Sequence, residues 1–206
     1  MAPTKIGMWG GMALLVVAFA VSAQRVDCPV RGGSMPRTPP GKPPFTDQIG
    51  ELTQAEEGHL TAIARMVEYA DATPPAPDVL FGLVDPGKTA LSQWRFEGYV
   101  RDEPRHKVPR VFTKDGSVLV FEQWNMAADG ASVVSSAGPS VMLGQLPAWR
   151  GGLRSPSGCV SASLTWHDAG VKYSLTVAGP LSLSGQRDLL VSIARSIVDA
   201  APSSGR

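Results

Sequence analysis

The string Gly82-Leu83-Val84-Asp85-Pro86-Gly87-Lys88-Thr89 satisfies the phosphate-cradling pattern G-x-x-x-x-G-K-[ST] letter for letter. That chemistry needs successive backbone N–H groups aimed at phosphate, and Pro86 removes one of them. It also needs a long helix after the loop inside a parallel sheet, whereas Gln93 to Val100 reads as a strand. Gly82, Gly87, Lys88 and Thr89 are therefore read as a chance match, with Asp85-Pro86-Gly87 a turn. Glu122 is a carboxylate set in apolar sequence, where burial could raise its pKa; an edge charge reaching solvent is the commoner outcome. His167-Asp168 would be half of an acid–base pair, but neighbours in a tight turn seldom face each other. The histidines His59, His106 and His167 show no metal-ligand spacing, and no G-x-S-x-G elbow occurs. No cofactor, no metal and no enzymatic activity are expected, with a hydrolase built on Glu122 or His167-Asp168 kept as the last alternative.

Two further groups of residues bear on function. Cys28 and Cys159 are the only cysteines and could pair in an oxidising compartment, or stand as independent thiols. Aromatic residues concentrate on expected strands. Phe121, Trp124, Trp149, Trp166 and Tyr173 would line an apolar cleft for a lipid-like ligand, or else simply fill the core, as a domain this size requires.

The elements that position these residues follow from periodicity. Val160, Ala162, Leu164 and Trp166 alternate with Ser161, Ser163, Thr165 and His167; after Asp168-Ala169-Gly170 the alternation resumes at Val171, Tyr173, Leu175 and Val177. Period two on both sides of a Gly-containing turn predicts a hairpin. Leu189, Leu190, Ile193, Ala194, Ile197 and Val198 then recur at helical spacing, with Ser184 as N-cap and Asp188 in the first turn. Upstream, Thr53-Gln54-Ala55-Glu56 has the form of a capping box, and Leu60, Ile63, Ala64, Val67 and Ala70 predict a helix ending near Asp71. Strands are expected around Trp94 to Tyr99, Val111 to Thr113, Ser117 to Trp124 and Ser140 to Gln145. The strand holding Val118 to Phe121 is apolar on both faces and belongs mid-sheet. Arg150 to Gly158, with Gly151-Gly152, reads as a mobile loop. Arg101, Arg105, His106, Lys107 and Arg110, broken by Pro104 and Pro109, read as a solvated loop.

Residues 1–23 resemble an export signal: Lys5, an apolar run from Ile6 to Ala20, then Val21-Ser22-Ala23. The alternative is an uncleaved anchor over residues 6–23, the only route by which the chain would meet a membrane. Residues 24–46, rich in Pro and Gly, form a flexible tether; 47–200 form one domain; 201–206 are a disordered tail. The formal net charge of +1 falls to about zero without Lys5, which argues against nucleic acid as a partner. The expected location is periplasmic or secreted.

Asp115 to Gln123, Ser163 to Leu175 and Asp188 to Ile197 together resemble a domain of unknown function found at the extracytoplasmic ends of bacterial anti-sigma factors. Its pattern is a strand ending in Gln, an L-x-W-x-x-x-G-x-x-Y-x-L hairpin and a closing helix with L-x-x-I-A-x-S-I. The resemblance spans about Arg110 to Val198. It implies similarity to lipoprotein-carrier and sigma-regulator sensor domains, a curved antiparallel sheet with helices on one side, and it carries no catalytic residue. The expected fold is thus α+β, a curved antiparallel sheet of five or six strands with two amphipathic helices. The expected function is an exported, non-enzymatic binding or sensor module of the bacterial envelope. Its alternative is a carrier or chaperone for lipid or lipoprotein acyl chains, and its partner would be a lipid-like ligand or an envelope protein.

Overall fold

Two turns that few residue types can make fix the centre of the fold. In the computed structural model Asp115 and Gly116 have φ of 47° and 75°, and Ala169 and Gly170 have 47° and 80°. Positive φ at both central residues matches the twist of a two-residue hairpin. The first turn joins β3 (Lys107–Lys114) to β4 (Ser117–Asn125), and the second joins β7 (Val160–Asp168) to β8 (Val171–Ala178). The structure describes residues 53–54, 60, 62–63, 65–74, 82–100, 106–132, 138–155 and 159–200. The expected signal segment, the tether, Cys28 and the tail 201–206 lie outside the described residues.

Eight strands make one sheet. Beside those four are β1 (Thr53–Gln54), β2 (Arg95–Tyr99), β5 (Val141–Leu143) and β6 (Leu146–Arg154), in the order β1-β6-β7-β8-β4-β3-β2 with β5 also on β6. Seven strands pair antiparallel; only the two residues of β1 run parallel to β6. The fold is broadly α+β, as expected, and β4 lies mid-sheet between β3 and β8.

Five or six strands were too few, chiefly because Arg150 to Arg154 is strand, not loop. Gly151 records a close approach: a Cβ there would run into Ser163 Oγ on the neighbouring strand. The strand β3 begins at Lys107 and runs through Pro109. Pro109 O accepts a hydrogen bond from Val100 N just past the end of β2, so its ring nitrogen faces that strand end and the ladder to β4 loses no donor.

Register sorts the side chains onto two faces. The inner face carries Phe112, Leu119, Phe121, Leu164, Trp166, Leu175 and Val177, each at 1% exposure or less. The helix α1 (Leu183–Ala200) covers it with Leu190, Val191, Ile193, Ala194 and Ile197, at about 1.5–3 kcal/mol for each large side chain buried. Its first turn is held by Ser182, whose hydroxyl accepts from Gly185 N at 3.2 Å, so the cap lies two residues before Ser184 and Asp188 falls beyond the first turn. Buried Gln186 donates to Val160 O, Gly179 O and Leu181 O, stapling the helix to the ends of β7 and β8.

The expected second amphipathic helix lies only in part within the described residues. Leu60, Ala62, Ile63 and Arg65 are helical and a 3-10 turn, Met66–Tyr69, follows. Thr53 and Gln54 are strand residues, and the rest of the expected capping box lies outside the described residues. Asp71 forms an isolated bridge with Tyr99, pinning this segment to β2. Gly98 makes that contact feasible: it has φ of +145°, and a Cβ there would lie 2.6 Å from the Asp71 carbonyl oxygen. Gly98→Ala is therefore expected to lower the unfolding free energy by roughly 2–4 kcal/mol through backbone strain and clash. Urea denaturation checks this; a change below about 0.5 kcal/mol contradicts it.

Candidate functional site

The outer face of the same sheet differs in chemistry. Lys107 on β3, Trp124 on β4, Lys172 on β8 and His167 on β7 are successive cross-strand partners and make one row. The next row holds Glu122, Ser174, Thr165 and Trp149. Thr165, His167, Lys172 and Ser174 were legible as the polar half of the hairpin strands, but Lys107, Trp124, Glu122 and Trp149 were not, and the row itself depends on register, which no local pattern states.

Trp124 is the centre of the row. Its indole N–H donates to Asp129 Oδ2 at 2.5 Å, while Asp129 Oδ1 is 2.5 Å from His106 Nδ1. Asp129 sits in the turn after β4, which is tied down by Met126 N to Gly170 O and Asn125 N to His106 O. The carboxyl of Asp129 is held below the ordinary carboxylate range, first by the Trp124 hydrogen bond and then by that of His106. The fixed indole in turn carries two ammonium groups: Lys107 Nζ lies 4.9 Å and Lys172 Nζ 5.9 Å from its centroid. Both lysines are half-buried. Nearby, the Trp149 and His167 rings meet at a tilt of 57° with centroids 5.6 Å apart, and Glu122, Trp149 and His167 each have further partners.

The aromatic residues expected to line one cleft are divided between faces. Phe121, Tyr173 and Trp166 stack on the inner side, at 6.5 Å and 5.2 Å between centroids, with Phe121 and Trp166 fully buried. Burial, with the Asp168 charge second, pushes the Tyr173 phenol up. Trp124 and Trp149 are on the outer side. Alternation along a strand also sends His167 and Asp168 to opposite faces, so the two cannot act as one acid–base pair.

Arg110 is not in a solvated loop but 2% exposed on the inner face, over the Phe121 ring at 4.6 Å. It donates to Val84 O at 2.6 Å and to Gln123 Oε1, and Gln123 Oε1 also accepts from Val84 N at 3.0 Å. Burial lowers its pKa to about 10, which leaves it charged at neutral pH. Its sequence context, Pro109-Arg110 after a run of charges, gave no sign of this.

The phosphate-loop string holds one short 3-10 turn, Pro86–Lys88, and a second follows it. Asp85 Oδ1 accepts from Gly87 N at 2.9 Å, and Thr89 Oγ1 accepts from Leu91 N and donates to Pro86 O. The loop's own side chains thus take up the N–H groups of Gly87 and Leu91, and a four-residue turn, Ala90–Gln93, stands where a long helix would be needed. Cys159 is disulfide-bonded, and Cys28 lies outside the described residues. Among the described residues no group of three or more His, Cys, Asp or Glu is placed to hold a metal, and no helix is long and apolar enough to cross a membrane.

The chain matches no protein-family model, no curated protein and no solved structure.

Because the folded-state pKa of Asp129 is depressed, its contribution is present above the unfolded carboxyl value and is lost as pH falls through the folded one. The Trp124 indole N–H resonance is expected to keep its position down to below about pH 4 and then move. In Asp129→Asn that acid transition disappears while the fold is kept. An unchanged transition in the variant contradicts the assignment.

Proposed function

We propose that this chain is an exported, non-enzymatic binding module of the bacterial envelope that meets its ligand on the outer face of the sheet. The observation that carries this reading is the Asp129–Trp124 hydrogen bond with Lys107 and Lys172 over the indole. A polar tether, an aromatic ring and two cations held in one row are preorganised for recognition, since their order exists before any ligand arrives. Export is supported by the signal-like residues 1–23 and by the disulfide at Cys159, which we assign to Cys28. The sensor aspect rests on the resemblance to anti-sigma-factor extracytoplasmic domains.

The reading as an acyl-chain carrier has less support, because the helix side of the sheet is occupied by its own packed aromatic and aliphatic side chains. Catalysis has less support too, because His167 and Asp168 are on opposite faces.

Hydrogen exchange of the full chain, with and without a soluble envelope extract, tests the proposal. Protection is expected at 107–109, 122–125, 165–168 and 172–174, and is expected to vanish in Trp124→Ala. Protection confined to α1 and the loop at 82–93 would overturn it.

A further inference from the structure

We infer that the β7–β8 turn positions the outer-face site: Gly170, through its carbonyl oxygen and its lack of a side chain, seats the turn that carries Asp129 and thereby sets the Trp124 indole. This rests on the outer-face reading and names the residue that holds the centre of that face in place.

Asp115-Gly116 and Ala169-Gly170 are turns of one geometry, with φ of 47° and 75° in the first and 47° and 80° in the second. A glycine kept only for that backbone would do the same work in both. Their surroundings differ. A Cβ on Gly116 would meet nothing within 4 Å, whereas one on Gly170 would lie 3.3 Å from Ala127 Cβ. Gly170 O also accepts from Met126 N at 3.1 Å and from Ala127 N at 3.4 Å.

The turn seated on Gly170 is short and closed. Ala131 N donates to Met126 O at 2.8 Å, Gly130 N to Ala127 O at 3.3 Å and Ala128 N to Asn125 Oδ1 at 3.2 Å. Asp129 is two residues from Ala127 inside that ring of bonds, so a push on Ala127 reaches its carboxylate with little slack. Both carboxylate oxygens are committed, Oδ2 to the Trp124 N–H and Oδ1 to His106 Nδ1, each at 2.5 Å. Lys107 on β3 adds its charge to this pair, and Lys172, two residues after Gly170, reaches the same indole from β8. The hairpin tip thus places one cation of the row along its own strand and the indole through the Asp129 turn. Carbon atoms in contact settle at about 3.5–4.0 Å, so a methyl at position 170 drives Ala127 away and slackens the bonds of Asp129.

Three variants of the full chain test this. The readout is the Trp124 indole N–H resonance through an acid titration, with amide exchange and a melting curve in parallel. Gly116→Ala brings the backbone strain alone, and is expected to lower the melting temperature while leaving the indole resonance and its acid midpoint in place. Gly170→Ala brings the same strain and the Ala127 contact. It is expected to raise exchange at Met126 and Ala127 roughly tenfold or more. Its acid midpoint is expected to move up toward the ordinary carboxyl value of about 4, because the Trp124 and then the His106 hydrogen bond are what hold Asp129 down. Adding Ala127→Gly removes the atom that the new methyl meets, and is expected to restore the midpoint while the melting temperature stays low. An unmoved indole resonance in Gly170→Ala, or a midpoint that Ala127→Gly does not restore, overturns the inference and leaves Gly170 a residue of its turn alone. The readout needs no ligand. If envelope extract fails to protect the outer face while these shifts appear, the binding reading falls and the positioning of Trp124 by Gly170 stands.

Discussion

A buried guanidinium closes the inner side of this sheet. Arg110 and Gln123, on adjacent strands, hold the backbone of Val84 from both sides, one through its carbonyl and the other through its N–H. A charge taken out of water is costly, and among the described residues this one has no carboxylate in contact. Its compensation is two hydrogen bonds and the Phe121 ring, and the desolvation that remains appears as a guanidinium pKa of about 10. Holding Val84 places the 3-10 turns that follow, and these bring Leu91 and Trp94 into the same core cluster as Phe112 and Leu119. The helix covers the other half of the inner face. Between them, Val84, the turns and α1 leave that face filled by the chain itself.

Recognition then falls to the other face. On β7 and β8 Ser, Thr, Lys and His alternate with the core residues, while on β3 and β4 Val111 and Val120 are buried on this face too, and the turn after β4 returns a carboxylate to fix Trp124. The segment from Leu60 to Asp71 approaches this sheet at β2 and β3, where Gly98 admits it. The row through Trp124 lies toward the other end of those strands, next to the β7–β8 turn.

Local patterns disclosed much of the fold and little of the site. The 160–178 hairpin and the closing helix were readable because period two and period 3.6 each act within one element. β4 was readable because a centre apolar on both faces has one comfortable place in a sheet. The strand at Arg150–Arg154 was hidden because Gly151 and Gly152 resemble loop residues, although they serve a close approach to Ser163 and a buried strand position. Arg110 looked solvated because a cation carries no sequence mark of the carbonyl 26 residues earlier that it binds. The Lys107–Trp124–Lys172 row joins residues up to 65 positions apart, so only the β3–β4 and β4–β8 registers create it.

A double-mutant cycle on Arg110→Met and Gln123→Met, read by urea denaturation, tests most directly whether this clamp closes the inner face. Each single change is expected to cost about 2 kcal/mol or more, because Val84 keeps a buried carbonyl or N–H without its partner. The double variant is expected to cost clearly less than the two together, since both hold the same backbone unit. Additive losses, or single losses below about 0.5 kcal/mol, would contradict the clamp and reopen the inner face as a place for a ligand.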